Sequence, residues 1–157
     1  MTHYMVLRHN FDVHRNPDRL GQLGDGEKFC LPLNGQGGSP SWLTGNTVWL
    51  ISWEGFMKTH HVVVGWFTVD QVGKRHGVVA QHYIGGNEGE LFARGLGPLD
   101  MHPWFHKFVE ANRKFREGEP TEVGEYLGEL LTLARGAGYR VPAGSAEGQV
   151  VQGSASV

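Results

Sequence analysis

The clearest alternation of hydrophobic and polar positions lies in residues 47–72, and it predicts two consecutive β-strands. In the first, Thr47–Trp53, the side chains of Trp49, Ile51 and Trp53 fall on one face, because side chains alternate along a strand with period two. A strand face this rich in large apolar side chains has to be covered by another layer of the protein. This pattern therefore indicates a sheet-based core.

The second strand of this region, Val62–Val69, is a β-branched and aromatic run with Gly65 in its middle. A glycine inside a strand indicates a bulge, a sharp bend or a close approach of another backbone. The segment between the two strands predicts a loop that offers Lys58, His60 and His61 at one rim of the sheet.

Other short apolar runs predict further strands, and glycine-rich segments predict turns. A long polar stretch, Arg8–Ser41, is rich in turn residues, and loops of this length in a compact domain usually have a function or are mobile. Gly73–Gly77 reads as a turn with basic residues. The additional predicted strands are Tyr4–Leu7, Phe29–Leu31, Val78–Ile84 and a short piece within Leu91–Leu99.

The C-terminal third has helical periodicity. Pro103 suits the first turn of a helix, where its missing N–H costs nothing, and the aromatic residues that follow it recur at helical spacing. A second helix is predicted to begin at Thr121 as its N-cap and to end at Gly136 as its C-cap. The sequence thus predicts a single α+β domain over residues 1–140, with two C-terminal helices and a flexible tail over residues 141–157.

Composition narrows the class of protein without naming a function. The formal net charge is −2 at pH 7. Residues 1–116 contain twelve Lys and Arg against ten Asp and Glu, whereas residues 117–157 contain two against six. A mildly basic body with an acidic end is compatible with a nucleic-acid-binding face on the body, although surface charge often serves only solubility.

The sequence gives no support for a disulfide, a membrane span or a secretory signal. Cys30 is the only cysteine, so no intramolecular disulfide can form. No apolar run approaches the roughly 20 residues that cross a bilayer, and no secretory signal is visible. We therefore expect a cytoplasmic protein that does not associate with membranes.

Catalytic and cofactor motifs are also missing from the sequence. The nine histidines show no metal-ligand spacing, and no nucleophile elbow, paired-carboxylate motif, phosphate-binding loop or dinucleotide fingerprint is found. We predict no metal and no cofactor, and a binding module rather than an enzyme.

The tryptophans are the first candidates for a binding site. Trp49 and Trp53 share a strand face, Trp66 lies on the neighbouring strand, and Trp42 enters from the preceding turn. Aromatic side chains stack on nucleobases, but tryptophan is also strongly buried on average, so each of them is equally a candidate for the core.

Basic residues in the loops between the predicted strands are the second candidates. Lys58, Lys74 and Arg75 stand where phosphate contacts commonly originate. The alternative for each is an ordinary solvated rim.

The central part of the chain resembles the PUA-like superfamily, especially its EVE, ASCH and YTH relatives. The resemblance lies in the segment Trp42-Leu43-Thr44-Gly45-Asn46-Thr47 to Trp53 and in the returning strand Val63-Val64-Gly65-Trp66-Phe67-Thr68-Val69. The turn here is Gly45-Asn46, where those relatives have Gly-Asp. The resemblance covers about residues 40–72.

This resemblance implies a small, mostly antiparallel PUA-like β-barrel with peripheral helices, which binds a modified base in an aromatic pocket. Modified cytosine in DNA is favoured over RNA, with base flipping and a separate nuclease or effector protein as a partner. The predicted pocket residues are Trp42, Trp49, Ser52, Trp53 and His61, and the predicted phosphate-binding residues are Lys58, Lys74 and Arg75.

Two other classes of function stay open at this point. The same barrel could serve a small-molecule-binding protein or enzyme with a histidine-lined mouth. A structural interaction domain would instead keep its tryptophans buried and have no pocket.

Overall fold

The structure, a computed structural model, describes residues 1–8, 29–33, 38–54, 60–75 and 81–143. Its elements are strands and short helices in a mixed α+β arrangement. The strands are β1 (His3–Arg8), β2 (Phe29–Pro32), β3 (Thr47–Glu54), β4 (His60–Thr68), β5 (Gln71–Arg75), β6 (Gln81–Gly86), β7 (Gly89–Leu96) and β8 (Thr121–Glu122). The helices are α1 (Pro103–Ala111), α2 (Arg113–Arg116) and α3 (Leu127–Gly136), with short 3-10 turns at Pro40–Leu43, Leu99–Met101 and Gly124–Tyr126.

The described strands form two sheets. The larger has the order β7-β4-β3-β1-β8, and the smaller has the order β2-β6-β5. Only β1 and β3 run parallel, and every other pair is antiparallel. The predicted α+β class and the mostly antiparallel pairing are confirmed, while the described strands do not close into a barrel.

The smaller sheet covers one face of the larger one. Val48 and Leu50 of β3 point into this interface and are fully buried with Leu31 of β2 and Ile84 of β6. The rings of Phe29 and Phe67 stack here with centroids 5.4 Å apart. The core between the two sheets is therefore largely a sheet-on-sheet contact.

The helices cover the opposite face of the larger sheet. Trp49 and Ile51 are fully buried in this cluster, and Trp53 packs against its edge, so the predicted shared face of β3 is confirmed. The helices contribute mostly aromatic and leucine side chains: Trp104, Phe105, Phe108, Phe115, Leu130 and Leu131.

Gly65 lies at the irregular point of β4 that the sequence predicts. The register of β4 shifts between Val63 and Gly65, and the pairing with β3 shifts between Leu50 and Ile51. A Cβ atom on Gly65 would lie 2.5 Å from the carbonyl oxygen of Glu90, so any side chain would force the strands apart. Glycine is required here by a close backbone approach.

His60 and His61 lie in strand β4 rather than in the predicted loop, because they pair with Glu54 and Trp53 of β3. Two further local predictions are wrong, and strand pairing explains both. Gly73 lies in strand β5 rather than in a turn, because residues 71–75 pair with residues 81–85 of β6. The second long C-terminal helix begins at Leu127 rather than Thr121, because Thr121 and Glu122 pair with β1. Tertiary pairing overrides local helix signals in the second case.

The end of β1 is held by the side chain of Arg8. Its Nη1 donates to the carbonyl oxygens of Leu7 and Gly118 at 2.9 and 2.7 Å, and its Nη2 donates to the carbonyl of Pro32 at 2.8 Å. Burial lowers the pKa of Arg8 to about 10, so the side chain stays charged at neutral pH. This guanidinium links an inner strand of the larger sheet to β2 of the smaller one.

Some predictions fall outside the described residues. They include most of the Arg8–Ser41 loop, the loop around Lys58 and most of the predicted tail. Val141, at the start of that tail, is described and packs against the helix-side core.

A buried histidine gives the fold a testable pH dependence. His3 is 4% exposed, and its Nδ1 accepts a hydrogen bond from Nε1 of Trp49 at 2.9 Å. Burial, with a smaller effect of the N-terminal ammonium, lowers the pKa of His3 to about 4. Since the unfolded chain takes up this proton first, stability is retained above pH 6.5 and falls between pH 6.5 and 4, by on the order of 3 kcal/mol.

His3→Asn keeps an acceptor for Trp49 but cannot be protonated. Urea unfolding of both proteins between pH 4 and 7 should show a shallower loss of stability in the variant. Equal slopes in the two proteins would contradict the assignment of this pH dependence to His3.

Candidate functional site

A cleft of about 350 Å³ opens where helices α1 and α2 meet the end of the β3–β4 pair. Its wall is aromatic, with polar groups on one side. The lining residues are Leu7, Trp53, His61, Asp100, Phe105, His106, Val109, Phe115 and Arg116. Ligand sites in proteins are usually clefts of this kind, mostly apolar with a few convergent polar groups.

The aromatic wall is built by a cross-strand pair. Trp53 of β3 lies opposite His61 of β4 in the antiparallel register, which brings the two side chains together. Their ring centroids are 3.8 Å apart with the planes tilted by 38°. The ring of Phe105 lies 5.1 Å from that of His61, so the imidazole sits between two larger aromatic rings.

Asp100 holds His61 at two points. The backbone N–H of His61 donates to Oδ1 of Asp100 at 2.6 Å, and Nδ1 of the imidazole lies 2.9 Å from Oδ2. Because an ionised carboxylate can only accept, Nδ1 must carry the proton in this contact. The pair therefore fixes both the orientation and the tautomer of the ring.

The ionisation of Asp100 follows from the same contacts. Burial alone would raise the pKa of its carboxyl group. The hydrogen bonds from the backbone and ring of His61 outweigh burial and lower the pKa below its ordinary value. Asp100 is thus negatively charged at neutral pH.

Two further polar residues complete the cleft. Nε2 of His106 lies 2.6 Å from the carbonyl oxygen of Asp100 and donates to it, since a carbonyl can only accept. Arg116, an exposed residue at the end of α2, brings a positive charge to the wall. Arg113 is also exposed and lies three residues earlier, on the same side of the helix.

The predicted pocket residues separate into two groups. Trp53 and His61 come together in the cleft. Trp49 is fully buried, and its Nε1 donates to His3. Ser52 is 3% exposed and, by the period of two, belongs to the opposite face of β3.

Trp42 lies away from the cleft. It is 54% exposed on the 3-10 turn Pro40–Leu43, and its ring meets that of Tyr4 edge-on with centroids 5.2 Å apart. Trp42 is therefore an exposed aromatic residue on a different part of the surface.

Of the predicted phosphate-binding residues, Lys74 is the one whose side chain the structure describes, and it does not line the cleft. Lys74 is exposed on β5 of the smaller sheet. Arg75 follows it in β5, with only its backbone described, and Lys58 lies outside the described residues.

Sequence reasoning missed the residues that come from the C-terminal part. Asp100 lies 39 residues from His61 along the chain, and no short motif connects them. The sequence predicts Phe105 and Phe115 on the apolar side of one helix, whereas the helix is interrupted at Asn112 and they lie in α1 and α2. Helical spacing does not distinguish a core residue from a pocket wall. An acidic residue between two predicted apolar elements was the one available signal for Asp100.

Comparison with family models, with curated proteins and with solved structures gives no match to this chain. Within the described residues, no three His, Cys, Asp or Glu side chains are grouped as metal ligands would be. None of the described helices is long and apolar enough to cross a bilayer. The cleft itself is therefore the basis for a functional proposal.

The tautomer of His61 provides a direct test of the site geometry. When the ring of His61 is neutral, its ¹⁵N chemical shifts in the native protein should report a protonated Nδ1 and a bare Nε2. In Asp100→Asn, the amide oxygen can still accept from the His61 backbone while the amide nitrogen donates to Nδ1, so the proton should move to Nε2. Unchanged ¹⁵N shifts in the variant would show that Asp100 does not set the tautomer.

Proposed function

We propose that this protein is a nucleic-acid-binding module that accepts a modified base, with modified cytosine in DNA favoured over RNA, into the cleft beside Trp53 and His61. The observation that carries the proposal is the paired aromatic wall next to an ionised carboxylate in a cleft of about 350 Å³. A flat heterocycle would stack its face on the aromatic wall and form hydrogen bonds with the carboxylate through its edge.

Stacking supplies part of the binding free energy. Base–aromatic stacking contributes about 1–3 kcal/mol per base, and removing a base from a duplex costs a few kcal/mol. Stacking on Trp53 alone therefore does not drive base flipping. Hydrogen bonds from the base to Asp100 and His61, and contacts to the phosphates, have to supply the remainder.

The phosphate contacts in this proposal come from α2 and its surroundings. Between Lys107 and Arg116 the chain has four basic residues and one acidic residue, Glu110. Arg113 and Arg116 are exposed, and Arg116 lines the cleft. A strand whose base enters the cleft would pass these side chains.

The same proposal includes a specific fold within the α+β class, a PUA-like barrel over residues 1–140. Residues 69–70 connect β4 of the larger sheet directly to β5 of the smaller one, and residues 87–88 connect β6 back to β7. The side chain of Arg8 bridges the sheets from β1 to β2. These connections fit two halves of an open barrel with the helices outside it.

A module of this kind would work with a partner. Any cutting or signalling step would belong to a separate nuclease or effector protein, which the base-binding module would direct to modified sites.

Trp53→Ala should weaken binding to a duplex that carries one 5-methylcytosine or 5-hydroxymethylcytosine by about 1–3 kcal/mol, because it removes the stacking surface. Fluorescence anisotropy against matched unmodified, methylated and hydroxymethylated duplexes measures this, with tryptophan quenching in parallel. The matched control is Trp42→Ala, which removes an exposed tryptophan outside the cleft. Equal effects of the two substitutions, or none, would exclude the cleft as the base site.

Arg113→Gln combined with Arg116→Gln should reduce the salt dependence of DNA binding. Removing two phosphate contacts should make the slope of log K against log salt shallower by about 1.5. Lys74→Gln is the control, since it removes an exposed positive charge on the smaller sheet. If Lys74→Gln alone lowers the slope, the strand runs over the smaller sheet instead.

One observation favours a second function, a small-molecule-binding protein or enzyme. The pairing of Asp100 with Nδ1 of His61 is the arrangement that prepares the other ring nitrogen of a histidine as a general base. The two functions differ in their dependence on polymer length. A small-molecule protein would bind a free nucleoside as tightly as an oligonucleotide, whereas the proposed module would bind the oligonucleotide more tightly.

A further inference from the structure

The hydrogen-bonding character of the cleft is determined by the contact between His61 and Asp100. Asp100 is ionised and accepts hydrogen bonds from the backbone N–H and the ring Nδ1–H of His61, so its oxygens act only as acceptors. Neutral His61 has its one ring proton on Nδ1, and its Nε2 is then also an acceptor. When the ring of His61 is neutral, both polar groups beside the aromatic wall are therefore hydrogen-bond acceptors.

These acceptors are available to a ligand. The side chain of Asp100 is 31% exposed and that of His61 is 12% exposed, and both line the cleft. Among the residues that the structure describes, no hydrogen bond is made to Nε2 of His61. The carboxylate has capacity beyond its two contacts with His61, because its two oxygens offer about four acceptor positions.

Three donors of the described residues lie in the cleft lining: the buried Nε1 of Trp53, the ring of His106 and the guanidinium of Arg116. Nε2 of His106 donates to the backbone carbonyl of Asp100 and is occupied by it. Arg116 is exposed at the end of α2, beside Arg113, where the proposed function assigns it to a phosphate. Within the part of the chain that the structure describes, the edge formed by Asp100 and Nε2 of His61 therefore offers acceptors and no donor.

We propose that Asp100 and Nε2 of His61 form an acceptor-only edge that selects bases carrying an exocyclic amino group. Cytosine and its 5-substituted forms present the N4 amino group, and adenine presents the N6 amino group, as donors to such an edge. Thymine and uracil present the O4 carbonyl at the equivalent position, and two acceptors facing each other repel. This inference rests on the proposed function, since it requires a base in the cleft.

The test uses fluorescein-labelled single strands of eleven nucleotides that differ only at the central position. The central nucleotide is cytosine, adenine, thymine or an abasic site, with five thymidines on each side. Anisotropy titrations of the full chain at low salt should give a dissociation constant about tenfold lower for cytosine and adenine than for thymine, because one well-placed edge contact discriminates by about that factor.

Asp100→Asn should abolish this preference, because its amide would donate to Nδ1 and leave a proton on Nε2, which the O4 carbonyls of the ten flanking thymidines accept equally in every strand. Glu110→Gln is the matched control, since it makes the same chemical change at an exposed carboxylate of α1 outside the cleft. It should keep the preference for cytosine.

His61→Leu is the second variant, and it guards against a failure of Asp100→Asn to fold. It removes the acceptor while keeping an apolar contact with Trp53, so the ratio of the cytosine and thymine constants should fall toward one.

The outcomes separate the two proposals. If the native protein binds all four strands equally but loses binding in Trp53→Ala, the base site stands and the acceptor-only edge is overturned. A preference that persists unchanged in Asp100→Asn and His61→Leu also overturns the edge. If no strand binds and modified duplexes do not bind either, the proposed function fails and the inference falls with it.

Discussion

Burial of β3 on both faces is the constraint on which the rest of this structure depends. Val48 and Leu50 on one face and Trp49 and Ile51 on the other are all fully excluded from solvent. A strand with no solvent face requires a layer on each side, and here a second sheet and a set of aromatic helices provide them. The mixed architecture follows from this one strand.

The cleft is the place where that coverage ends. Along one face of β3, Trp49 and Ile51 are enclosed by the helices, while Trp53, two residues further, is partly exposed and forms a wall of the cleft. The site is thus a continuation of the aromatic core to the surface, held by the rigid β3–β4 pair. Asp100 fixes His61 through both backbone and ring, so its geometry is largely set before a ligand arrives.

Local periodicity was sufficient for the central part of the fold and for the strand face that carries Trp53 to the cleft. Alternation identified the shared face of Trp49, Ile51 and Trp53, and Gly65 in a strand indicated the close backbone approach. Alternation could not reveal which end of that face opens to solvent, since Trp49 and Trp53 are equivalent in the pattern. Asp100 was beyond reach because its role depends on a contact across 39 residues of chain.

The position of β1 also bears on how the chain reaches its native state. β1 lies between β3 and β8, so His3–Arg8 pairs on one side with residues 47–52 and on the other with residues 121–122. During synthesis, β1 can pair with β3 long before β8 leaves the ribosome. Until then one edge of β1 stays unpaired, and such edges in slowly completed, long-range sheets promote misassembly. β1 therefore gains its second neighbouring strand only after the C-terminal third of the chain has been made.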